Sequence, residues 1–257
     1  MTVAAPAKPV GRLLRDWRER RRLSQLDLAI QADISTRHLS FVETGRSKPT
    51  PEMILRLTEQ LEVPLRERNQ LLLAGGYAPA YPQHGLEAPE LASVRAALRL
   101  VLTGHEPYPA LVINRWWELL DANAAVAAIT EGCAPALLEP PVNVLRLSLH
   151  PDGLAPRIVN LAQWRGHLLE QVRRRAELTG DARLQALHRE LTGYPGGVDH
   201  APGTDVVVPL RLQHPDGELS FFSIAATVQT AADVTVDELL IESFYPADAE
   251  TERRLRR

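Results

Sequence analysis

Residues 25–44, QLDLAIQADISTRHLSFVET, decide the fold of the first third of the chain. Leu28, Ala32, Ile34, Leu39 and Val42 supply the apolar positions that hold two short helices at a fixed angle, and Ala29 is small where the helices must touch. Ser24, followed by Asp27 three residues on, has the pattern of a capping box and opens the first helix over Gln25 to Ala32. Asp33-Ile34 makes the turn, Ser35 caps a second helix over Thr36 to Thr44, and Gly45 stands where a helix end favours a left-handed residue. On either side of this stretch the same signals continue. Val10, Leu13, Leu14 and Trp17 fall at i, i+3, i+4 and i+7, which predicts a helix with Arg12, Arg15, Arg18 and Arg22 outward. Thr50-Pro51 is an N-cap with proline at the first helical position, opening Glu52 to Leu61, and Leu65 to Ala74 is a fifth helix stopped by Gly75-Gly76.

The whole stretch from Leu23 to Val63, with its E-T-G-R-S-K-P-T-P at 43–51, closely resembles the lambda-repressor-like, or xenobiotic-response-element, family of DNA-binding domains. The resemblance covers Val10 to about Ala74 and departs at Asp33, where the family usually has glycine; aspartate tolerates a left-handed backbone better than most residues. It implies that residues 36–44 lie in the major groove of duplex DNA, with the preceding helix across the phosphate backbone. Gln25 then stands where the family contacts a phosphate. Thr36, Arg37, Ser40 and Phe41 face base edges, Arg37 as a two-bond donor to guanine and Phe41 against a thymine methyl. Arg46 and Lys48 are placed for phosphates. Read singly, each of these is equally well a solvated surface side chain. A protein-interaction module of the same fold would not need Arg37, Arg46 and Lys48 together on its exposed side.

At 257 residues the chain is long enough for a small domain joined to a larger one. Its 45% hydrophobic and 24% charged residues exclude a disordered or fibrous protein. The net charge of −3 hides an asymmetry: residues 1–80 carry 13 Lys and Arg against 9 Asp and Glu, and residues 81–257 carry 16 against 23. A basic part on an acidic part suits a polyanion-binding module attached to something that does not bind polyanions. No stretch approaches the roughly 20 apolar residues of a membrane span, and the N-terminal residues lack a signal-peptide core, so a cytoplasmic protein without membrane contact is expected. Cys133 is the single cysteine, which excludes an internal disulfide and a cysteine-based zinc site and fits a small core residue better than a redox sensor.

Beyond Gly75 the Gly- and Pro-rich residues 75–90 read as a boundary, and a helix follows from about Pro89 to Thr103, with Leu91, Val94, Leu98 and Val101 on a face suited to connecting domains or pairing with a second copy. PALVINRWWELLDAN reads as two short strands about an Asn114-Arg115 turn, with Asn123 capping a helix over Ala124 to Thr130. Amphipathic helices at about 160–179 and 182–192, a hairpin turning at Pro215-Asp216-Gly217 and a strand at 238–245 complete an α+β arrangement: an antiparallel sheet with helices on one face. At NRWWELLDAN (114–123), NVLRLSLHP (143–151) and 214–251 the chain resembles the MmyB-like regulators, and ERNQLLLAGGYAPAY (67–81) matches the segment closing the first domain there. That resemblance implies a PAS-like second domain that binds a small molecule, with fatty acids as the suggested class. The expected organisation is a flexible N-terminus (1–9), an all-α five-helix helix-turn-helix domain (10–75), a linker and connecting helix (76–108), a PAS-like α+β domain (109–248) and a C-terminal tail (249–257).

Trp116, Trp117, Leu120, Leu168, Val172, Phe221 and Phe222 offer apolar walls for such a pocket, with Arg146, Arg115 and Arg173 as scattered cations; a pocket with one cation would suit a carboxylate carrying an alkyl tail. Trp116-Trp117 read as adjacent residues of a strand, so their side chains point to opposite faces and at most one lines the pocket. The plainer reading makes the aromatics core and the arginines surface. His150, His188, His200 and His214 have no ligand spacing, so no metal or other cofactor is expected. Neither a nucleophile elbow nor a phosphate-binding or dinucleotide motif occurs, and Asp237-Glu238 would face opposite sides of a strand, so the chain does not read as an enzyme. The expectation is a homodimeric transcription regulator of duplex DNA that senses a small apolar molecule. The alternative gives the second domain a protein-interaction or dimerisation role instead.

Overall fold

The computed structural model describes residues 9–199 and 207–256, and the expected flexible N-terminus and His200 lie outside these residues except for Pro9. Two compact units divide the chain: one holds the residues up to His84 together with Thr230–Asp237, and the other holds Gly85–Gln229 and Glu238 onward.

In the first unit, α1 (Val10–Arg20), α2 (Gln25–Gln31), α3 (Thr36–Glu43), α4 (Pro51–Gln60) and α5 (Leu65–Ala74) follow the sequence signals closely. Ser24 and Asp27 form a reciprocal capping box, Ser35 Oγ accepts from the His38 amide, and Thr50 Oγ1 accepts from Met53. Asp33 in the turn has φ 52° and Gly45 has φ 75°, so both occupy the left-handed region. Leu14, Trp17, Leu28, Leu39, Val42, Ile54 and Leu57 make one core. Gly11 is where α1 meets α3: a Cβ there would stand 2.1 Å from the Val42 carbonyl oxygen. Arg18 corrects the outward expectation. It is buried, and its guanidinium clasps Glu43 at 2.7 and 2.9 Å while donating to the Leu23 carbonyl.

The second unit is built on one antiparallel sheet of β1 (Ala110–Ile113), β2 (Leu119–Ala122), β3 (Leu210–His214), β4 (Gly217–Thr227) and β5 (Leu240–Pro246), in the order β2-β1-β5-β4-β3. Its helices are α6 (Ala92–Gly104), α7 (Ala124–Thr130), α8 (Val144–Leu149), α9 (Leu161–Thr179), α10 (Ala182–Thr192) and α12 (Ala249–Leu255). Another short helix, α11 (Val234–Asp237), belongs to the first unit. The architecture is therefore α+β, as expected, but helices cover both sheet faces. Leu111, Ile113, Leu212, Phe221 and Phe244 join the side chains of α7 to α10 in the larger core. Leu98 and Leu102 of α6 pack with Ala110 and Val112 on the other face, while Val101 of the expected stripe is exposed. The expected C-terminal tail is α12, anchored by Thr251, which is fully buried and accepts from the Ser220 amide.

Candidate functional site

The exposed side of α3 and the turn after it carries the residues expected at DNA. Arg37 and Arg46 are exposed, and their guanidinium carbons lie 5.4 and 5.9 Å from the ring centroid of half-buried Phe41. Thr36 and Ser40, half-buried, stand one helical turn apart on this helix. Such pairs hold cations over an aromatic face without consuming their hydrogen-bond donors. Lys48 is exposed and lies 5.0 Å from the Tyr77 ring. Gln25 is differently engaged: its side-chain amide donates to Glu43 Oε2 at 2.7 Å, joining the Arg18–Glu43 pair and fixing the start of α2 to the end of α3. The second N–H of the same amide is the donor left for the expected phosphate contact.

The second unit forms a partly open cavity of about 290 Å³ between the sheet and α7, α8 and α9. Its walls are dominated by leucine, valine and aromatic side chains, and Trp117, Leu168, Trp164 and Phe244 are among them. Such a small, largely apolar concavity is ordinary for a small-molecule site. The polar groups at its margin are mostly committed. Ser148 Oγ accepts from the Trp164 indole, Thr130 donates to the Val126 carbonyl, and Asn123 accepts from the Ala110 amide and donates to the Leu102 and Tyr108 carbonyls. Asn123 thus bridges α6, the following loop and β1, and makes no side-chain cap for α7 as the sequence had suggested. Glu242 is different. Strand register places it beside Leu111 and Ala225 on the cavity face, and burial pushes its carboxyl above the usual carboxylate range, opposed by a hydrogen bond from Ser223.

Of the residues expected to line a pocket, Trp117 and Leu168 do so; Trp116, Leu120, Arg146, Val172 and Phe221 are not among the lining residues. Trp116 and Trp117 lie in the turn between β1 and β2, so strand alternation does not govern them. Trp117 takes φ 60° and is buried, whereas the Trp116 indole donates to Asp181 at 3.0 Å. Leu120 sits on β2 and is partly exposed, and Val172 and Phe221 are solid core. The arginines find carboxylates: Arg146 forks onto Glu190 at 2.7 Å, Arg115 meets Glu238 at 2.9 Å, and Arg173 meets Glu170 and Glu177. Arg175, which the sequence reading missed, lies 4.7 Å from the Trp117 ring centroid; burial lowers its pKa, and its Nη1 has no hydrogen-bond partner among the described residues. Glu242 was also missed, although the alternation Leu240, Glu242, Phe244 places it on the core side of its strand. Cys133 is buried, and desolvation raises its thiol pKa, as for an unreactive core residue.

A helix-turn-helix unit and a cavity-bearing α+β unit in one chain define a transcription regulator with a ligand-binding domain. Residues 94–257 match the family described as MmyB-like transcription regulator ligand binding domain, and residues 9–71 match a helix-turn-helix domain family. The chain belongs to the MmyB-like transcription regulators. It is similar to an uncharacterized HTH-type transcriptional regulator, RghRB, of Bacillus subtilis (strain 168), at 33% identity over 114 residues, which are 43% of this chain and 80% of that protein. Among solved structures it is similar to an RNA-binding light-oxygen-voltage receptor, at 14% identity and a TM-score of 0.30, covering 96% of this chain and 59% of that one. This chain thus spans less than two thirds of that receptor's length. Among the described residues no helix is long and apolar enough to cross a membrane.

Proposed function

We propose that the chain is a sequence-specific, homodimeric DNA-binding regulator, acting in the cytoplasm, whose affinity for its operator is set by a small apolar molecule in the cavity of the second unit. The observation that carries this reading is the pairing in one chain of exposed Arg37 and Arg46 about Phe41 on a helix-turn-helix with a cavity walled mainly by apolar side chains. The α3 side chains read base edges, Arg46 and Lys48 bind phosphates, and no catalytic step is assigned to the chain. A single small helix-turn-helix reads one half-site, so useful affinity asks for two copies about one helical turn apart. A fatty acid, the class implied by the family resemblance, suits the apolar walls, each buried methylene contributing about 0.8 kcal/mol. Its carboxylate, however, finds no cation among the described residues that line the cavity.

The test begins by selecting the bound sequence from random duplex and measuring affinity with and without octan-1-ol, which probes the apolar walls alone. The expected result is a palindromic site bound by a dimer, and an affinity that changes severalfold on saturation. In Val126→Phe, whose ring fills the cavity, DNA binding persists and the response disappears. A monomer on a non-palindromic site removes the dimer, and an equal response in Val126→Phe removes the cavity as the sensor.

A further inference from the structure

We infer that the cavity of the second unit takes an amphiphilic organic cation, a protonated amine on an apolar skeleton, whose ammonium group pairs with the Glu242 carboxylate. This rests on the proposal that the cavity is the sensory site and names the head group of its ligand. Glu242 is the one lining residue with an ionisable side chain among the described residues. Its neighbours across the sheet, Leu111 and Ala225, are apolar. No arginine, lysine or histidine among the described residues belongs to the lining. Arg115, Arg146 and Arg173 are each engaged by carboxylates elsewhere, and Arg175 is held against Trp117 outside the lining set.

A carboxylate in an apolar cavity is costly to ionise unless a cation joins it, and a second carboxylate brought beside it makes the charged form worse. Desolvation raises the Glu242 pKa, so its charged form carries a penalty that an opposite charge beside it relieves. An arriving ammonium offsets that penalty, because it supplies the opposite charge and donors for the oxygens that Ser223 leaves open. The rest of the lining agrees with this chemistry. The indoles of Trp117 and Trp164 and the ring of Phe244 line the same cavity, and desolvated aromatic rings beside a carboxylate are a favoured setting for ammonium groups. Asn123, Thr130 and Ser148 are spent on internal hydrogen bonds and the Gln171 amide nitrogen lies 2.7 Å from His167 Nε2, so Glu242 is the charged anchor that fixes orientation while the apolar walls take the skeleton.

Three probes of equal chain length separate the possibilities on the full chain at neutral pH: octylammonium, octan-1-ol and octanoate, followed by tryptophan fluorescence and by the shift in melting temperature. The expected ranking is octylammonium at least tenfold tighter than octan-1-ol, with octanoate weakest. Glu242→Gln, close in shape to the native residue, should cost octylammonium at least tenfold and leave octan-1-ol within threefold. Octanoate binding as tightly as octylammonium overturns the inference and assigns the head group to a cation such as Arg175. Octylammonium affinity unchanged in Glu242→Gln overturns it too, since the amine would then be held by the acidic surface. Should octan-1-ol bind while octylammonium gains nothing over it, the head-group assignment falls and the cavity reading stands; binding of none of the three removes both. If Glu242→Gln does not fold, the ranking on the unaltered chain decides alone.

Discussion

Replacing Arg18 with methionine should unfold the DNA-binding unit more readily than any surface change in it. The Glu43 side chain is 1% exposed and the Arg18 side chain 10%, so water reaches neither partner to any useful extent. Glu43 now accepts two bonds from Arg18 and one from Gln25, and Arg18 gives a further bond to the Leu23 carbonyl. Methionine keeps the apolar bulk but leaves Glu43 as a buried carboxylate with a single neutral donor. Breaking a buried pair in this way costs about 3–5 kcal/mol, most of it the penalty of the charge left behind. The double variant Arg18→Met/Glu43→Leu removes both charges and should recover most of the loss, because Gln25 is only partly buried and can turn to water. Hydrogen exchange of amides in α1 to α5 on the full chain measures the opening free energy of this unit. A loss below about 1 kcal/mol in Arg18→Met, or a double variant whose loss equals the sum of the two single ones, would refute the account of a desolvated charge pair.

Gly11→Ala should also destabilise this unit, since the added Cβ meets the backbone oxygen of Val42, whereas Gly45→Ala has open space and meets only the left-handed strain of its φ of 75°. Melting curves of the two variants should rank Gly11→Ala as clearly the more harmful. At the DNA, Arg37→Ala should cost about 1–3 kcal/mol and relax preference at one base pair, while Lys48→Ala should weaken all sequences alike and reduce the salt dependence; equal losses on specific and random duplex would exclude Arg37 from base readout. Asp233 gives a pH dependence. Burial opposes its charged form, but hydrogen bonds from His84, Thr235 and Val236 outweigh this and hold its carboxyl below the usual aspartate range. Its folded pKa is thus the lower one, so its contribution is present above the unfolded value near 3.9 and is lost as pH falls through the folded value. Exchange at the Thr235 and Val236 amides should therefore gain protection across that window as pH rises, and Asp233→Asn should abolish the change.

The parts of this molecule that sequence reveals are those whose partners lie a few residues away. Ser24 finds Asp27, Ser35 finds His38 and Thr50 finds Met53 within one turn, so the starts of α2, α3 and α4 and the turn at Asp33 follow from local chemistry. Periodicity assigns a cation such as Arg18 to solvent by default; its partner Glu43 is 25 residues distant and on another helix. Asn123 has the sequence context of a helix cap, yet its amide is claimed by carbonyls at 102 and 108, which only the folded sheet brings near. The two tryptophans failed differently. The hairpin turn runs past Asn114-Arg115, so both rings leave the strand and the alternation argument loses its premise. The segment Thr230–Asp237 shows the same limit at the scale of the fold. Its connection between β4 and β5 looks like a loop of the second unit, but its Val234 amide bonds the Pro82 carbonyl and its Asp237 carboxylate accepts from the Leu65 amide, which makes it part of the first. Glu242 was within reach of local reasoning, since strand alternation alone sets it between Leu240 and Phe244. What sequence could not supply was the absence of a cation from the same wall among the described residues, and that absence is what turns a half-buried glutamate from an oddity of the sheet into a candidate anchor for a ligand.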